Sequence, residues 1–335
     1  MRILITSPAF LPSLGGLELA TASLAGGLSA LGHEVVVVTT TPGPADECAY
    51  RIVRRPSAHA LHVLARWCDV YYQANVSLRL LWPLLLVRRP WVVSHHTWYR
   101  QHGGRRALRD WLKILLVRRA AASIAVSHAI AADLGGRPTV IENGYRDRLF
   151  TVLAEVARDR ELVFVGRLVS DKGCDLLLDA LGRLEAGVSL TVVGDGPDRQ
   201  RLEQQAAALG LGSRVEFLGA LNGEPLVRIL NAHEVLVVPS RYREPFGIVA
   251  LEGIACGCVV VASEGGGLKD AVGPCGQTFP NGNITALAAR LVEILADGEL
   301  RARCRAAAPA HLQDHREAVV IGRYEQVLEG VLRRG

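Results

Sequence analysis

Residues Glu34–Thr40 form an unbroken run of valines and threonines after a single glutamate. A strand apolar on both sides must be covered on both faces, which is the mark of a parallel sheet flanked by helices. What precedes the run fits that demand. Arg2–Thr6 reads as a buried strand and Ser7–Gly16 as a Pro/Gly-rich loop. Leu17, Ala20, Leu24, Leu28 and Leu31 then recur at helical spacing, and Gly32 closes the helix. The unit is strand–helix–strand. Further strands are predicted at Val70–Tyr72, Trp91–Ser94, Ser123–Val126 and Thr139–Ile141, with a helix around Ala107–Ala120 and Ser127 capping another.

Phe150–Asp159 reads as a linker, and a second alternating series follows it. Its strands are Leu162–Val165, Ser189–Val193, Val215–Leu218, Val235–Val238, Val259–Ala262 and Gln277–Phe279. Its helices are Cys174–Leu184, Asp198–Leu209, Pro225–Asn231, Gly247–Cys256, Leu268–Val272 and Ile284–Leu295. A chain of 335 residues exceeds what one core usually holds, so two doubly wound α/β domains are expected. We place the first at 1–150 and the second at 151–315. The terminal amphipathic segment, 316–335, completes the first.

Charge is unevenly spread. Between Arg51 and Ala120 there are 14 Lys/Arg and two acids, although the whole chain carries only +5. All five tryptophans (Trp67, Trp82, Trp91, Trp98 and Trp111) fall in this stretch. Arginine with tryptophan suits an anionic membrane surface, and the cluster Arg105, Arg106, Arg118 and Arg119 is its candidate contact. Nucleic acid is not an expected partner, because no recognition motif accompanies the charge. No leader or membrane span is expected: the apolar run near Leu80–Val87 is far short of the ~20 residues a spanning helix needs. The expected location is therefore cytoplasmic, with peripheral association at the inner face of the cytoplasmic membrane. Seven cysteines, with no Cys-x-x-Cys pair, read as reduced core thiols.

Every chemistry-bearing motif follows a predicted strand, where ligands bind in open α/β sheets. Gly15-Gly16 opens the first helix, and backbone N–H groups there suit a phosphate. No Gly-x-Gly-x-x-Gly is present, which argues against a nicotinamide dehydrogenase. Gly166-Arg167-(x)4-Lys172-Gly173 places two cations where they can clamp a diphosphate. Gly194-Asp195-Gly196-Pro197 is a phosphate- or base-contacting turn or a purely structural one. In Ser240-(x)3-Glu244-Pro245-Phe246-Gly247-Ile248-(x)3-Glu252 the first acid lies at a helix mouth and the second one to two turns inside. That arrangement suits a sugar's hydroxyls and a ribose diol.

In this order, Gly-Gly-x-Glu, Gly-Arg-x4-Lys-Gly and Glu-x7-Glu resemble the motifs of family 4 of the retaining glycosyltransferases. Val140-Ile141-Glu142-Asn143-Gly144, Val215-Glu216-Phe217-Leu218-Gly219 and Gly266-Gly267-Leu268-Lys269-Asp270 resemble further segments of it. The resemblance implies the GT-B fold, two Rossmann-like doubly wound domains facing across a cleft. It implies that Gly15, Gly16 and Gly166 approach the donor, and that Arg167 and Lys172 bind its diphosphate. Glu244 holds the transferred sugar, Phe246, Gly247 and Ile248 offer backbone N–H groups, and Glu252 takes the ribose. Ser94-His95-His96-Thr97 fills the place of the family's histidine that faces the reacting sugar, and His96 aligns better than His95. Arg146 departs from the family's usual Asp, and Lys269 and Asp270 from its Pro-Glu.

The implied activity is transfer of a hexose-type sugar, with retained configuration, from a UDP- or GDP-sugar. The implied acceptor is lipid-linked or a cell-envelope polysaccharide such as lipopolysaccharide. No metal or other cofactor is expected, because Asp-x-Asp is absent and the Arg/Lys couple can take a metal's place. The alternatives are an epimerase or inverting transferase on the same fold, or a non-catalytic nucleotide-sugar-binding module.

Overall fold

The computed structural model describes residues 1–13, 15–44, 48–99 and 108–334. Arg105, Arg106 and Ala107 lie outside the described residues. The chain divides into two compact units, residues 1–144 with 317–335, and residues 145–316.

Unit 1 holds a wholly parallel sheet of β1 (Arg2–Ser7), β2 (Glu34–Thr39), β3 (Arg51–Arg54), β4 (Val70–Ala74), β5 (Trp91–His95), β6 (Ala122–Ala125) and β7 (Thr139–Val140). The spatial order is β3-β2-β1-β4-β5-β6-β7. Between the strands run α1 (Gly16–Ala30), α2 (Ala58–Trp67), α3 (Leu78–Leu81), α4 (Leu108–Val117) and α5 (His128–Leu134). Successive side chains of a strand point to opposite faces. Ile3 and Ile5 accordingly pack with Leu24 and Leu28 of α1, whereas Leu4 packs with Leu61 and Leu64 of α2.

Unit 2 repeats the plan with β8 (Arg160–Val165), β9 (Leu190–Val193), β10 (Val215–Gly219), β11 (His233–Val238), β12 (Val259–Ser263) and β13 (Gly276–Phe279). All pair in parallel, in the order β10-β9-β8-β11-β12-β13. Its helices are α6 (Cys174–Leu181), α7 (Arg199–Ala208), α8 (Glu224–Ala232), α9 (Ile248–Ala255), α10 (Leu268–Val272), α11 (Ile284–Ala296) and α12 (Gly298–Gln313). The chain then returns to unit 1 as α13 (Glu317–Leu332), which buries Val320, Ile321, Tyr324, Leu328 and Val331 against α1 and the sheet.

Three elements have weak sequence signals. Strand β3, with arginine at both ends, is an edge strand held by parallel pairing to β2. Helix α2 is capped by Ser57, which accepts from the Ala60 N–H. Helix α12 contains Pro309 and few large apolar residues. Polar contacts anchor it: Arg305 donates to the Gly257 carbonyl at 2.9 Å and pairs with Glu234. Residues 145–150, assigned from sequence to the first domain, fall in unit 2. A bridge between Tyr145 and Arg316 and the stacking of Arg146 on Phe150 at 5.2 Å hold them there.

Helices α1 and α13 approach so closely that a Cβ on Gly27 would sit 2.1 Å from Cδ1 of Ile321. Overpacking of that kind costs about 1–3 kcal/mol. Gly27→Ala should lower unfolding stability in urea by that order. The same change in an Ile321→Ala background should be neutral or stabilising, since room then exists and alanine favours helix.

Candidate active site

Strand order reverses between β1 and β4 in unit 1, and between β8 and β11 in unit 2. Such switch points open a crevice at the carboxyl ends of the strands. In unit 2 the loops leaving β8, β9 and β11 are drawn together by backbone contacts that admit no side chain. Gly194 has φ +145°, and a Cβ there would lie 1.8 Å from the Gly166 carbonyl oxygen. On Gly196 it would lie 2.4 Å from that of Leu168. The Leu168 N–H donates to the Asp195 carbonyl at 2.9 Å, fixing the two loops in register. The turn after β9 is thus a structural partner of the loop after β8.

Ser170–Lys172 is a single 3-10 turn ended by Gly173 at φ +70°, which fits against the Pro239 carbonyl where a Cβ would approach to 2.0 Å. The backbone N–H groups of Arg241 and Tyr242 both donate to the Asp171 carbonyl. Arg241 also grips Asp175 with both guanidinium ends, at 2.5 and 2.6 Å. Bidentate pairs of this type fix orientation as well as charge.

That clamp brings Lys172 to Glu244. Lys172 Nζ donates to Glu244 Oε1 at 2.6 Å, and Ser240 Oγ donates to the same oxygen at 2.8 Å. Glu244 is buried, so its charge needs these partners. Its backbone is held by Gly266, which forms a parallel bridge with it, and by the Gly267 N–H at 2.8 Å. Arg167, five residues before Lys172, is exposed and makes no ion pair or side-chain hydrogen bond among the described residues.

Phe246 is buried beside the His315 ring, with centroids 5.7 Å apart. Gly247, at φ +117°, turns the chain into α9, so Ile248 heads that helix. Glu252 lies just over one turn inside it. Burial pushes the Glu252 carboxyl up to about 7, against the pull of Arg146, whose guanidinium is 3.8 Å away. At that distance the pair is not a tight hydrogen bond. Arg146 therefore acts on the second acid, a role its place in the sequence did not disclose. The Arg241–Asp175 clamp also escaped the sequence. Ser240 stood four residues before Glu244 with nothing to mark it as that acid's partner.

In unit 1, His95 and His96 end and follow β5 at the carboxyl edge of the sheet. Tyr99 and Ser123 hydroxyls pin His95 through both ring nitrogens, at 2.7 and 3.0 Å. His96 contacts Ser94 Oγ through Nε2 at 2.9 Å, while its Nδ1 is buried without a partner. Its backbone N–H donates to Asn75 Oδ1 at 2.7 Å. Burial holds both imidazoles well below their usual range, His95 at about 3 and His96 at about 4, so both are neutral near pH 7. Gly15 caps α1 with an extended backbone, and Gly16 is the first helical residue. The Glu18 carboxylate lies over Gly15, where a Cβ would meet it at 2.5 Å.

Residues 14–147 match Glycosyltransferase Family 4, and residues 145–311 match Glycosyl transferases group 1. A phosphatidyl-myo-inositol mannosyltransferase of Mycobacterium leprae is 30% identical over 315 residues, covering 88% of this chain and 83% of the relative. The chain belongs to glycosyltransferase family 4. By class it is a hexosyltransferase. An uncharacterised glycosyltransferase of Methanocaldococcus jannaschii is 40% identical over 116 residues, which span 34% of this chain and only 30% of that relative. The crystal structure of Anabaena HepE in complex with UDP superposes with a TM-score of 0.85 at 23% identity, covering 98% of this chain and 100% of HepE. That likeness establishes the GT-B fold for this family member.

The raised carboxyl of Glu252 has a sign that can be tested. A folded-state value of about 7, above the ordinary 4.5, means the folded protein favours the protonated acid. Stability is full below pH 4.5 and is lost as pH rises through 7, by about 3 kcal/mol at most. Urea unfolding should show this loss between pH 5 and 8 in the wild type. In Glu252→Gln the corresponding contribution should vanish.

Proposed function

We propose that the protein transfers a hexose-type sugar, with retained anomeric configuration, from a UDP- or GDP-sugar to a lipid-linked or cell-envelope polysaccharide acceptor. The observation that carries this reading is the Lys172–Glu244–Ser240 constellation at the switch point of unit 2, with the uncommitted Arg167 on the same loop as Lys172. Arg167 and Lys172 bind the donor diphosphate. As the glycosidic bond to the leaving group breaks, negative charge grows on that diphosphate, and fixed cations stabilise the growth more than they stabilise the bound donor. The two side chains supply this charge without a metal ion.

Glu244 orients the sugar by accepting from its hydroxyls and forms no covalent bond. The acceptor hydroxyl attacks from the face that the nucleotide leaves, and a donor phosphate oxygen takes its proton. Backbone N–H groups at Phe246, Gly247 and Ile248 serve sugar and phosphate, and Gly15 and Gly16 serve the phosphates. Glu252 accepts from the ribose diol. Donation to a carboxylate favours its charged form, so ribose binding opposes the burial that raises this acid. His96 is assigned to the transferred sugar.

The relatives support a nucleotide-sugar donor and leave the acceptor broad. HepE has been solved with UDP and with UDP-glucose. The mannosyltransferase of M. leprae is named for phosphatidyl-myo-inositol, a lipid. A glycogen synthase of Mycobacterium tuberculosis is 28% identical over 92% of this chain.

A thermal-shift series against UDP-, GDP-, ADP- and dTDP-sugars should raise the melting temperature with one base class. With that donor, Glu244→Gln should cut turnover by roughly 10²–10³, the scale of losing one transition-state contact. Unchanged turnover and donor affinity would remove Glu244 from its role. An inverted anomeric centre in the product, read by NMR, would refute retention.

A membrane-surface reading rests on a separate observation. Helix α4 exposes Trp111, Leu112 and Leu115, and Arg118 and Arg119 are exposed just beyond it. Trp111 and Leu115 share one face by their i, i+4 spacing. Among the described residues no helix is long and apolar enough to cross a membrane. Flotation with anionic liposomes should recover the wild type. Recovery should fall several-fold in a Trp111→Ala, Leu115→Ala, Arg118→Ala, Arg119→Ala variant, and equal recovery would end this reading.

A further inference from the structure

A line of hydroxyl groups runs through the core of unit 1 to His96. Tyr324, on α13, packs edge-on against Tyr72, on β4, with ring centroids 6.1 Å apart and its hydroxyl beside that of Tyr72. Tyr72 Oη lies 2.6 Å from Ser94 Oγ, and Ser94 Oγ lies 2.9 Å from His96 Nε2. Every member is buried. The line ends on His96 Nδ1, which has no partner.

Each hydroxyl has one proton and two lone pairs, so the line can run in either direction, or converge on Ser94, which would then leave its own buried proton without an acceptor as well as His96 Nδ1. If protons point from His96 towards Tyr324, then Nε2–H donates to Ser94, Ser94 to Tyr72 and Tyr72 to Tyr324. The Tyr324 proton then has no acceptor, because Tyr324 makes no other side-chain hydrogen bond among the described residues. Two buried groups are left unsatisfied, the Tyr324 hydroxyl and the His96 Nδ1 lone pair. If protons point towards His96, then Tyr324 donates to Tyr72, Tyr72 to Ser94 and Ser94 to Nε2. Every hydroxyl proton is accepted, and only His96 Nδ1 remains. Buried donors without acceptors are costly, so the second direction is favoured.

An imidazole whose Nε2 accepts has its proton on Nδ1. We infer that Tyr324, Tyr72 and Ser94 are positioning residues that hold His96 in its Nδ1–H tautomer, making Nδ1 a hydrogen-bond donor to a hydroxyl oxygen of the transferred sugar. This rests on the sugar-transfer reading above for the identity of the ligand, but not for the tautomer. His95 shows the contrast: hydroxyls satisfy both of its nitrogens, and it has nothing left to offer. The burial that holds His96 at about 4 keeps the ring neutral, so the choice of tautomer persists across the neutral range. The relay also gives α13 a part in the site, since Tyr324 is its first donor.

Two measurements test the inference. Long-range ¹H–¹⁵N correlation spectra of histidine-labelled protein, assigned with His96→Asn, report which ring nitrogen carries the proton. The wild type should show Nδ1–H. Ser94→Ala should shift the ring towards a mixture or Nε2–H, Tyr324→Phe should weaken the preference, and Ser94→Thr should restore it. A wild-type ring protonated at Nε2, or a Ser94→Ala ring that keeps Nδ1–H, would overturn the relay.

Calorimetry then compares UDP-glucose with UDP and GDP-mannose with GDP. For the pair whose sugar contributes affinity in the wild type, Ser94→Ala should weaken the nucleotide-sugar roughly tenfold and leave the nucleotide unchanged. Equal loss for both, or loss for neither, would overturn the sugar contact. If the wild type binds none of the four, the donor reading fails and the sugar contact with it. The spectra still decide the tautomer. Should Ser94→Ala not fold, Tyr324→Phe, which removes one hydroxyl far from the ligand, carries the same comparison with a smaller expected loss.

Discussion

The site in unit 2 depends on backbone meeting backbone. Gly166, Leu168, Pro239 and Glu244 each present a carbonyl oxygen to a glycine that could not have a side chain: Gly194, Gly196, Gly173 and Gly266. Each of those glycines also has a positive φ. A Cβ at any of them would be strained by conformation and by collision together. These contacts let four strand-to-helix loops converge at one end of the sheet, and the Arg241–Asp175 grip locks two of them. The Lys172–Glu244 hydrogen bond is a product of that convergence, since 72 residues separate its partners.

The two acids of the Glu-x7-Glu pattern are handled differently. Glu244 is met by a lysine and a hydroxyl on one oxygen, so its negative charge is stabilised where it stands. Glu252 lies in a helix of apolar residues with a half-exposed arginine at 3.8 Å, and burial dominates its protonation. One carboxylate thus has two donors on a single oxygen, whereas the other has only a distant arginine against the burial that raises it. Arg146 moderates that contrast, and it stands where the family more often has an acid.

Periodicity made most of the fold legible, because strands buried on both faces and their covering helices write regular patterns. It failed where tertiary contact outweighed local signal. Strand β3 has two apolar residues between arginines and exists through its pairing with β2. Helix α12 is anchored by Arg305 on a carbonyl and on Glu234, partners 48 and 71 residues away. The candidate site was legible as a set of motifs at strand ends. Its wiring was not: nothing in the spacing reveals that Ser240 shares an oxygen with Lys172, or that Tyr72 and Tyr324 line up behind Ser94.

The return of α13 to unit 1 makes the two halves unlike in how they are assembled. Unit 2 is one continuous stretch, whereas unit 1 is complete only when residues that follow unit 2 in the chain come back to it. During synthesis from the N-terminus, unit 2 therefore has its whole core available before Val320, Tyr324 and Leu328 can dock. Until they do, the part of that core which α13 covers beside α1 stays open to water. The earlier-made half is thus the later to finish, and exposed apolar surface on a nascent sheet is where chaperones bind.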